Sequence, residues 1–116
     1  IYRYADIVLL YAEALNALDR TPEAITELNR TRTRAGENPY YVSDFVSSDE
    51  VLDAILDERQ KEFLGEGKRW FDLVRCNRWK EVMQPINGMS DERKVLFPIH
   101  RDHLNQNLNL KQNPGY

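Results

Sequence analysis

Three carboxylates recur at four-residue intervals in the middle of the chain and could do acid–base chemistry. Glu58, Glu62 and Glu66 would share one face of a continuous helix. Two carboxylates, one an acid and the other a nucleophile or base, are the reactive groups of most glycoside hydrolases. Such a pair flanks a bond across a cleft, whereas carboxylates four residues apart on a helix point the same way. The spacing therefore favours a structural role over catalysis.

The same segment carries cations at positions that could neutralise these acids. The predicted i+3 pairs are Arg59 with Glu62, Glu66 with Arg69 (if the helix continues through the glycines), and Asp72 with Arg75. The large side chains of Trp70 and Phe71 lie among these charges, so some ions must be partly buried, and buried ions are paired. We predict a structural ion network around Trp70 and Phe71. Its members are Glu58, Arg59, Glu62, Glu66, Arg69, Asp72 and Arg75.

No other arrangement of residues predicts catalysis or a cofactor. His100 and His103, with Asp102 between them, could bind a metal at an exposed turn, but no third ligand is indicated. Cys76 is the single cysteine, and the chain has no nucleophile elbow and no phosphate-binding glycine loop. We therefore predict no catalytic residue, no metal and no cofactor.

Aromatic side chains raise the possibility of carbohydrate stacking, because sugars present apolar C–H faces to rings. Trp70 and Phe71 lie inside the charged segment, which predicts a core position for both. Tyr40 and Tyr41 lie in a loop, where exposed contacts are more common, and are the candidate ligand-binding residues. Simple loop packing is the alternative for these two.

Length and composition indicate one soluble globular domain. The 116 residues include 41% hydrophobic and 30% charged residues. The net charge of −3 argues against nucleic-acid binding, which needs a concentrated basic face. No apolar run approaches the ~18 residues of a membrane span. Because the chain opens on Ile1 without an initiator Met, we expect it to be part of a longer protein.

The first 36 residues predict a helical hairpin. Apolar residues at helical spacing in residues 3–18 predict an amphipathic helix, and the predicted inward residues are Tyr4, Ile7, Val8, Tyr11, Leu15 and Leu18. Thr21 is the predicted N-cap of the second helix, with Ala24, Ile25 and Leu28 inward, and Gly36 is its predicted terminator. Such a hairpin resembles one tetratricopeptide-type unit.

The rest of the chain predicts further helices and then an irregular tail. Ser47 and Glu50 form a capping-box pattern that begins residues 47–84, which contain the charged segment. Residues 85–116 predict an irregular tail, and its end, residues 105–116, is rich in Asn and Gln, which predicts order through hydrogen bonds from side chains to the backbone. The predicted fold class is therefore all-α.

Several blocks, in the same order along nearly the whole chain, resemble the SusD/RagB family. Residues 3–14 read RYADI-x-LLYAEA and residues 25–36 read I-x2-LN-x2-R-x-RAG. The most recognisable block is residues 58–75, ER-x2-EF-x2-EG-x-RWFDL-x-R. Residues 96–99, LFPI, and residues 109–116, NL-x-QNPGY, are similar to the C-terminus of that family.

This resemblance implies the C-terminal portion of an outer-membrane nutrient-binding lipoprotein from Bacteroidetes. Such proteins are mostly α-helical, are lipid-anchored at the cell surface through an N-terminal Cys, and bind glycans or other nutrients without altering them. They act with a TonB-dependent transporter of the SusC type. The matched residues belong to the scaffold, so no ligand contact can be transferred from the family.

Two other functions remain open from the residues alone. One is a tetratricopeptide-like module that binds a partner protein. The other is a fragment of a helical glycoside hydrolase that uses Glu62 and Glu66.

Overall fold

The computed structural model describes residues 2–116, and all regular secondary structure in that range is helical. The predicted all-α class is confirmed. The chain forms two compact units, one ending at Asp72 and the other beginning at Leu73.

The first unit begins with an antiparallel helical hairpin, α1 (Tyr4–Ala17) and α2 (Thr21–Arg34). The backbone N–H of Arg3, before α1, donates to Asp6 Oδ2 at 3.1 Å and so satisfies one N–H group at the helix start. The prediction of Thr21 as N-cap was wrong by one residue, because Arg20 has that position and Thr21 is already helical. The Thr21 hydroxyl instead donates to Asn16 Oδ1 at 3.3 Å.

The end of α2 forms as predicted around Gly36. Gly36 has a φ of +84°, which L side chains rarely adopt. The Gly36 N–H donates to Thr33 O, and the Glu37 N–H donates to Arg32 O at 2.9 Å. These two bonds are those of a Schellman motif, which satisfies the last carbonyls of a helix.

The predicted inward face of α1 was largely wrong. Only Val8 and Leu15 of the six predicted residues are buried, and Tyr4, Ile7, Tyr11 and Leu18 are exposed. The other buried residues of α1 are Asp6, Leu9, Ala12 and Asn16. The prediction followed the largest side chains, whereas small Ala12 permits close packing and Asp6 is buried with cationic partners.

Helix α3 (Ser48–Glu62) packs against both α1 and α2. Ser47 is its N-cap, as predicted, and Ser47 Oγ accepts from the Glu50 N–H at 3.3 Å. The helix ends at Glu62, and Gly65 follows with a φ of +80°. Glu66 therefore lies outside α3, which overturns the prediction of three carboxylates on one helix face.

The hydrophobic core of the first unit lies where these three helices meet. Its buried members are Leu9, Ala12, Ile25, Leu28, Val51, Ile55 and Phe63. Ala24, Ile25 and Leu28 point inward as predicted. Tyr40 and Phe45, from the loop between α2 and α3, pack against this core. The loop also contains a 3₁₀ turn, Val42–Asp44.

Helix α4 (Arg69–Arg75) begins in the first unit and ends in the second. The second unit contains α5 (Trp79–Asn87), a 3₁₀ turn (Glu92–Lys94) and α6 (Arg101–Gln106). Helix α5 extends past Pro85 and stops at Gly88, which is in the left-handed conformation. Proline removes one backbone donor, and the helix ends within three residues of it.

The predicted tail contains α6 in addition to irregular segments, and side-chain hydrogen bonds order its end. Gln112 accepts from the Ile99 N–H at 2.8 Å and donates to Ile99 O at 3.0 Å. Asn113 Nδ2 donates to Phe97 O at 2.7 Å. The predicted side-chain to backbone bonds are thus present between residues 97–99 and 112–113.

The helices of residues 2–116 include none with the length and apolar character that a membrane crossing requires.

Candidate functional site

Eight ionisable side chains in the first unit form one continuous series of ion pairs in which negative and positive groups alternate. In order, the series runs Asp72, Arg59, Asp6, Lys68, Glu66, Arg3, Glu62 and Arg34. Its four acids and four bases balance. The series connects residues of α1, α2, α3 and α4, and we call it the ion-pair series.

The inner end of the ion-pair series is buried. Arg59 Nε donates to Asp72 Oδ2 at 2.8 Å, and Arg59 Nη2 lies 3.4 Å from Asp6 Oδ1. The Asp6 residue is 0% exposed, and Lys68 Nζ donates to its other carboxylate oxygen. Each buried carboxylate therefore has a cation in contact, which is the condition for keeping ions in a protein interior. Arg59 Nη1 is buried and has no hydrogen-bond partner among the described residues.

The outer end of the ion-pair series is more exposed. Arg3 Nη1 lies 3.0 Å from Glu62 Oε1, and Arg3 Nη2 lies 2.7 Å from Glu66 Oε1. Arg34 contacts the second oxygen of Glu62. The side chains of Arg3 and Arg34 are well exposed, so these pairs stabilise the fold less than the inner ones.

Phe63 is the aromatic centre of the ion-pair series. The cationic groups of Arg3, Arg59 and Lys68 lie 4.9, 5.0 and 4.4 Å from the centroid of its ring. Phe63 is buried, whereas Phe71 is exposed and Trp70 is half-buried. The prediction that the charges surround Trp70 and Phe71 was therefore wrong, because three cations surround the ring of Phe63 instead. Cation–π contacts explain why cations are tolerated beside this ring.

A second buried ion pair joins α2 to α3. Arg32 Nη1 donates to Glu58 Oε2 at 3.0 Å, and both side chains are almost completely buried. Arg32 also donates twice to Asn38 O, at 3.0 and 2.9 Å, and its guanidinium lies 3.9 Å from the ring centroid of Tyr40. Arg32 therefore anchors the loop after α2 as well as pairing two helices.

Two of the ion pairs expected at i+3, Arg59 with Glu62 and Glu66 with Arg69, are replaced by other partners. Arg59 contacts Asp6 and Asp72, and Glu62 contacts Arg3 and Arg34. The expected pairing of Glu66 with Arg69 needed a helix through the glycines, and α3 ends before them. Arg69 Nη1 donates to Leu56 O at 2.8 Å, and its Nη2 lies 3.5 Å from Asp57. Arg75 is exposed at the last position of α4.

Sequence reasoning missed four members of the ion-pair series, Arg3, Asp6, Arg34 and Lys68. The available signal was Asp6, a lone acid among apolar residues near the start of α1. A carboxylate at such a position either caps the helix or pairs with a cation from elsewhere in the fold. Asp6 does both.

The arrangement of Glu62 and Glu66 does not suit glycoside hydrolysis. Both oxygens of each carboxylate contact a cation. The cations at Glu62 are Arg3 and Arg34, and the cations at Glu66 are Arg3 and Lys68. The hydrogen bond from Arg3 is the main cause that lowers the pKa of Glu66 below its ordinary value, with Lys68 contributing and desolvation opposing. A general acid needs a raised pKa, so the lowered pKa of Glu66 is opposite to what that role requires.

Opposing effects act on the pKa of Asp6. Burial alone would raise it and is the largest single effect. The hydrogen bonds from Lys68 and from the Arg3 N–H, together with the positive charges of Lys68 and Arg59, more than offset burial and lower the pKa below its ordinary value. Asp6 therefore stays ionised at neutral pH.

This lowered pKa predicts a loss of stability in acid. An aspartate in an unfolded chain has a pKa of about 3.9. When folding lowers this pKa, the carboxylate stabilises the fold at any pH above the unfolded pKa, and this stabilisation is lost as the pH falls towards the folded pKa. We expect Asp6→Asn to be less stable than the parent protein at pH 7 and the difference to shrink below about pH 4. Urea unfolding of both proteins from pH 7 to pH 2.5 measures this difference in the free energy of unfolding. A difference that stays constant over this range would contradict the role of Asp6.

The two candidate ligand-binding tyrosines have different environments. Tyr40 is half-buried, and its ring packs edge-on against Phe45 at 5.2 Å and beneath Arg32. Its backbone N–H and C=O both bond to the amide of Asn29 at 2.8 Å. Tyr41 is 65% exposed. Only Tyr41 of the two thus offers an open aromatic face.

The histidines of the second unit do not form a metal site with other residues. His100 Nδ1 accepts from the Asp102 N–H at 3.3 Å, and the rings of His100 and His103 lie 6.2 Å apart. In residues 2–116, no group of three His, Cys, Asp or Glu side chains is placed to bind a metal ion.

The fold and the paired charges define a helical scaffold, and comparison with known proteins identifies its family. The model of the SusD family matches residues 1–94. "SusD-like protein P38" of Formosa agariphila is 46% identical over 123 residues, which cover 100% of this chain and 24% of that protein. "SusD-like protein P2" of the same organism is 36% identical and is covered to 25%.

Solved structures give the same result. A SusD homolog from Bacteroides thetaiotaomicron superposes with a TM-score of 0.83 at 36% identity, covering 97% of this chain and 24% of that one. A SusD superfamily protein from Bacteroides vulgatus superposes with a TM-score of 0.86 at 27% identity, covering 99% of this chain and 27% of that one. The chain belongs to the SusD family, and it spans about a quarter of the length of these relatives.

Proposed function

We propose that this chain is the scaffold part of a non-catalytic cell-surface lipoprotein that binds a glycan or another nutrient and works with a TonB-dependent outer-membrane transporter. The observation that carries the proposal is the match to the SusD family over residues 1–94, supported by similarity to SusD-like proteins along the whole chain. The complete protein is attached to the outer membrane through an N-terminal lipid, and this chain contributes helical framework.

The contacts of the charged residues in the first unit support a structural role. The hydrolase alternative would require Glu62 and Glu66 to be available. Glu62 is paired with Arg3 and Arg34, and Glu66 is paired with Arg3 and Lys68. A carboxylate with a cation on each oxygen must lose one of these pairs before it can act as a nucleophile. We therefore place the ligand outside the ion-pair series.

Tyr41 is the residue of this chain that we propose for ligand contact. It is exposed on a loop that is held at Tyr40 by Asn29 and Arg32. A rigidly supported aromatic ring can stack on the C–H face of a sugar at a small cost in side-chain entropy.

The test uses the full-length protein and a panel of oligosaccharides. We expect calorimetry to detect binding of at least one glycan, and we expect the protein to co-purify with a TonB-dependent transporter from outer membranes. Tyr41→Ala should weaken glycan binding about tenfold, or about 1.4 kcal/mol, through loss of the ring face.

Tyr41→Phe is the matched control, because it keeps the ring and removes only the hydroxyl, so its affinity should stay near that of the parent. Absence of glycan binding together with absence of the transporter would contradict the proposed function. Equal affinities for Tyr41→Ala and the parent would contradict only the role of Tyr41.

A further inference from the structure

The loop that carries Tyr41 is attached to the first unit on both sides of that residue. We call residues 38–46 the Tyr41 loop, and it contains the 3₁₀ turn Val42–Asp44. The side chains of Tyr40 and Phe45 pack against the hydrophobic core. Tyr41 lies between these two anchors in sequence, so a fixed segment presents it.

The side-chain amide of Asn29 fixes the backbone of Tyr40. Asn29 Oδ1 accepts from the Tyr40 N–H, and Asn29 Nδ2 donates to Tyr40 O, both at 2.8 Å. Two residues that face each other in an antiparallel sheet exchange such a pair of bonds, and here one side chain supplies it. A primary amide offers a donor beside an acceptor, whereas an ionised carboxylate only accepts. Asn29 therefore holds the residue directly before Tyr41.

Arg32, three residues after Asn29 on α2, holds the Tyr41 loop at a second point. Its Nε and Nη2 donate to Asn38 O at 3.0 and 2.9 Å, and its guanidinium lies 3.9 Å from the ring centroid of Tyr40. Arg32 Nη1 donates in turn to Glu58 Oε2 at 3.0 Å. The part of the loop that precedes Tyr41 is thus connected by polar contacts to α2 and, through Arg32, to α3.

The backbone of Tyr41 is also held, while its ring is open. Its N–H donates to Asp44 Oδ2 at 2.7 Å, and its C=O accepts from the Asp44 N–H at 3.0 Å. After the turn, the Val46 N–H donates to Glu50 Oε2 at 2.7 Å, which ties the loop to the first turn of α3. The Tyr41 residue is nevertheless 65% exposed. A fixed backbone with an exposed ring suits a contact residue that is positioned before its ligand binds.

We propose that Asn29 is a positioning residue for glycan binding, which raises affinity through Tyr41 and makes no contact of its own with the glycan. The inference rests on the proposed function, in which the Tyr41 ring stacks on a sugar. A loop that becomes ordered only on binding loses conformational entropy at that moment, and this loss lowers affinity. The amide of Asn29, whose two polar groups are both engaged by Tyr40, removes part of this loss beforehand.

Calorimetry of the full-length protein, with an oligosaccharide that the parent binds, tests this role. Asn29→Ala should weaken binding about fivefold, because Tyr40 loses both backbone partners and the loop must be ordered on binding. Asn29→Asp is a second variant of nearly the same size. It keeps the acceptor and loses the donor, so it should weaken binding as well. Thr26→Ala is the matched control and should bind like the parent, since it removes one side-chain hydrogen bond of α2, to Pro22 O, and leaves the loop intact.

Hydrogen exchange of the ligand-free proteins measures the order of the loop directly. We expect the Tyr40 amide to exchange at least about tenfold faster in Asn29→Ala than in the parent. This increase should exceed that at the Ile55 amide, within α3, because the opening is local. A Tyr40 amide that exchanges at the same rate in both proteins would overturn the proposal.

The Tyr41→Ala background separates positioning from general damage. A residue that acts through the Tyr41 ring has little left to position once the ring is absent, so Asn29→Ala should there change affinity by less than about twofold. An equal affinity loss in both backgrounds, or an unchanged affinity in Asn29→Ala alone, would overturn the proposal and leave glycan binding standing. A parent protein that binds no glycan would contradict the proposed function, and this inference with it.

Discussion

Arg59→Met should lower the free energy of unfolding by about 3–5 kcal/mol. Arg59 is buried between Asp6 and Asp72, with its Nε 2.8 Å from one carboxylate and its Nη2 3.4 Å from the other. Methionine keeps much of the side-chain volume but leaves two buried carboxylates with fewer cations. Asp72 loses the hydrogen bond from Arg59 Nε, whereas Lys68 still pairs with Asp6. Urea unfolding at pH 7 measures the loss.

Arg30→Met is the matched control for this substitution. Arg30 pairs with Glu27 at 2.7 Å, but its side chain is 52% exposed, and exposed pairs contribute about 0–1 kcal/mol. Equal losses for Arg59→Met and Arg30→Met would mean that the inner end of the ion-pair series is hydrated and does not hold the helices together.

Glu58→Leu should cost a similar amount, about 3–5 kcal/mol, because it leaves the guanidinium of Arg32 buried beside an apolar side chain. Arg32 keeps its hydrogen bonds to Asn38 O, its position over Tyr40 and a contact of 3.7 Å with Glu37 Oε2. The loss should therefore lie towards the lower end of that range. The measurement is again the free energy of unfolding in urea.

The double variant Glu58→Leu/Arg32→Met separates the pair from its surroundings. With both charges absent, no buried ion is left without a partner. We expect the loss of unfolding free energy in the double variant to be smaller, by at least about 1 kcal/mol, than the sum of the losses in the two single variants. Additive losses would show that Arg32 and Glu58 do not stabilise each other.

Local features of the fold were predictable from sequence. Ser47 caps α3 and Gly36 ends α2 as expected, because each signal depends on the conformation of a few adjacent residues. Ala24, Ile25 and Leu28 also point inward as expected, since α2 carries a clear apolar stripe against a polar background. Such features need no knowledge of what lies across the fold.

The contacts of the charges were not predictable in the same way. The charge content of residues 58–75 correctly indicated that ions are buried and paired. Their partners, however, come from other helices, such as Arg32 for Glu58 and Asp6 for Arg59. Spacing along one helix can propose only neighbours three or four residues away. It also assumed that the helix continues to Glu66, and the helix ends four residues earlier.

The face of α1 was mispredicted for a related reason. When a helix is apolar on both sides, periodicity cannot distinguish the side that packs within one unit from the side that packs elsewhere. Size then misleads, because Leu9 and the small Ala12 are buried in the hydrophobic core, while the larger Tyr4 and Tyr11 are exposed.

The central claim is that the charged segment of residues 58–75 holds helices together and performs no chemistry on the ligand. The most direct measurement compares the full-length parent protein with its Glu62→Gln variant. Each protein is incubated with every glycan that the parent binds, and mass spectrometry shows whether the glycan is cleaved. Urea unfolding then gives the free energy of unfolding of each protein. The account predicts unchanged glycan with both proteins and a lower free energy of unfolding for Glu62→Gln. Glycan cleavage by the parent that disappears in Glu62→Gln, at unchanged stability, would contradict it.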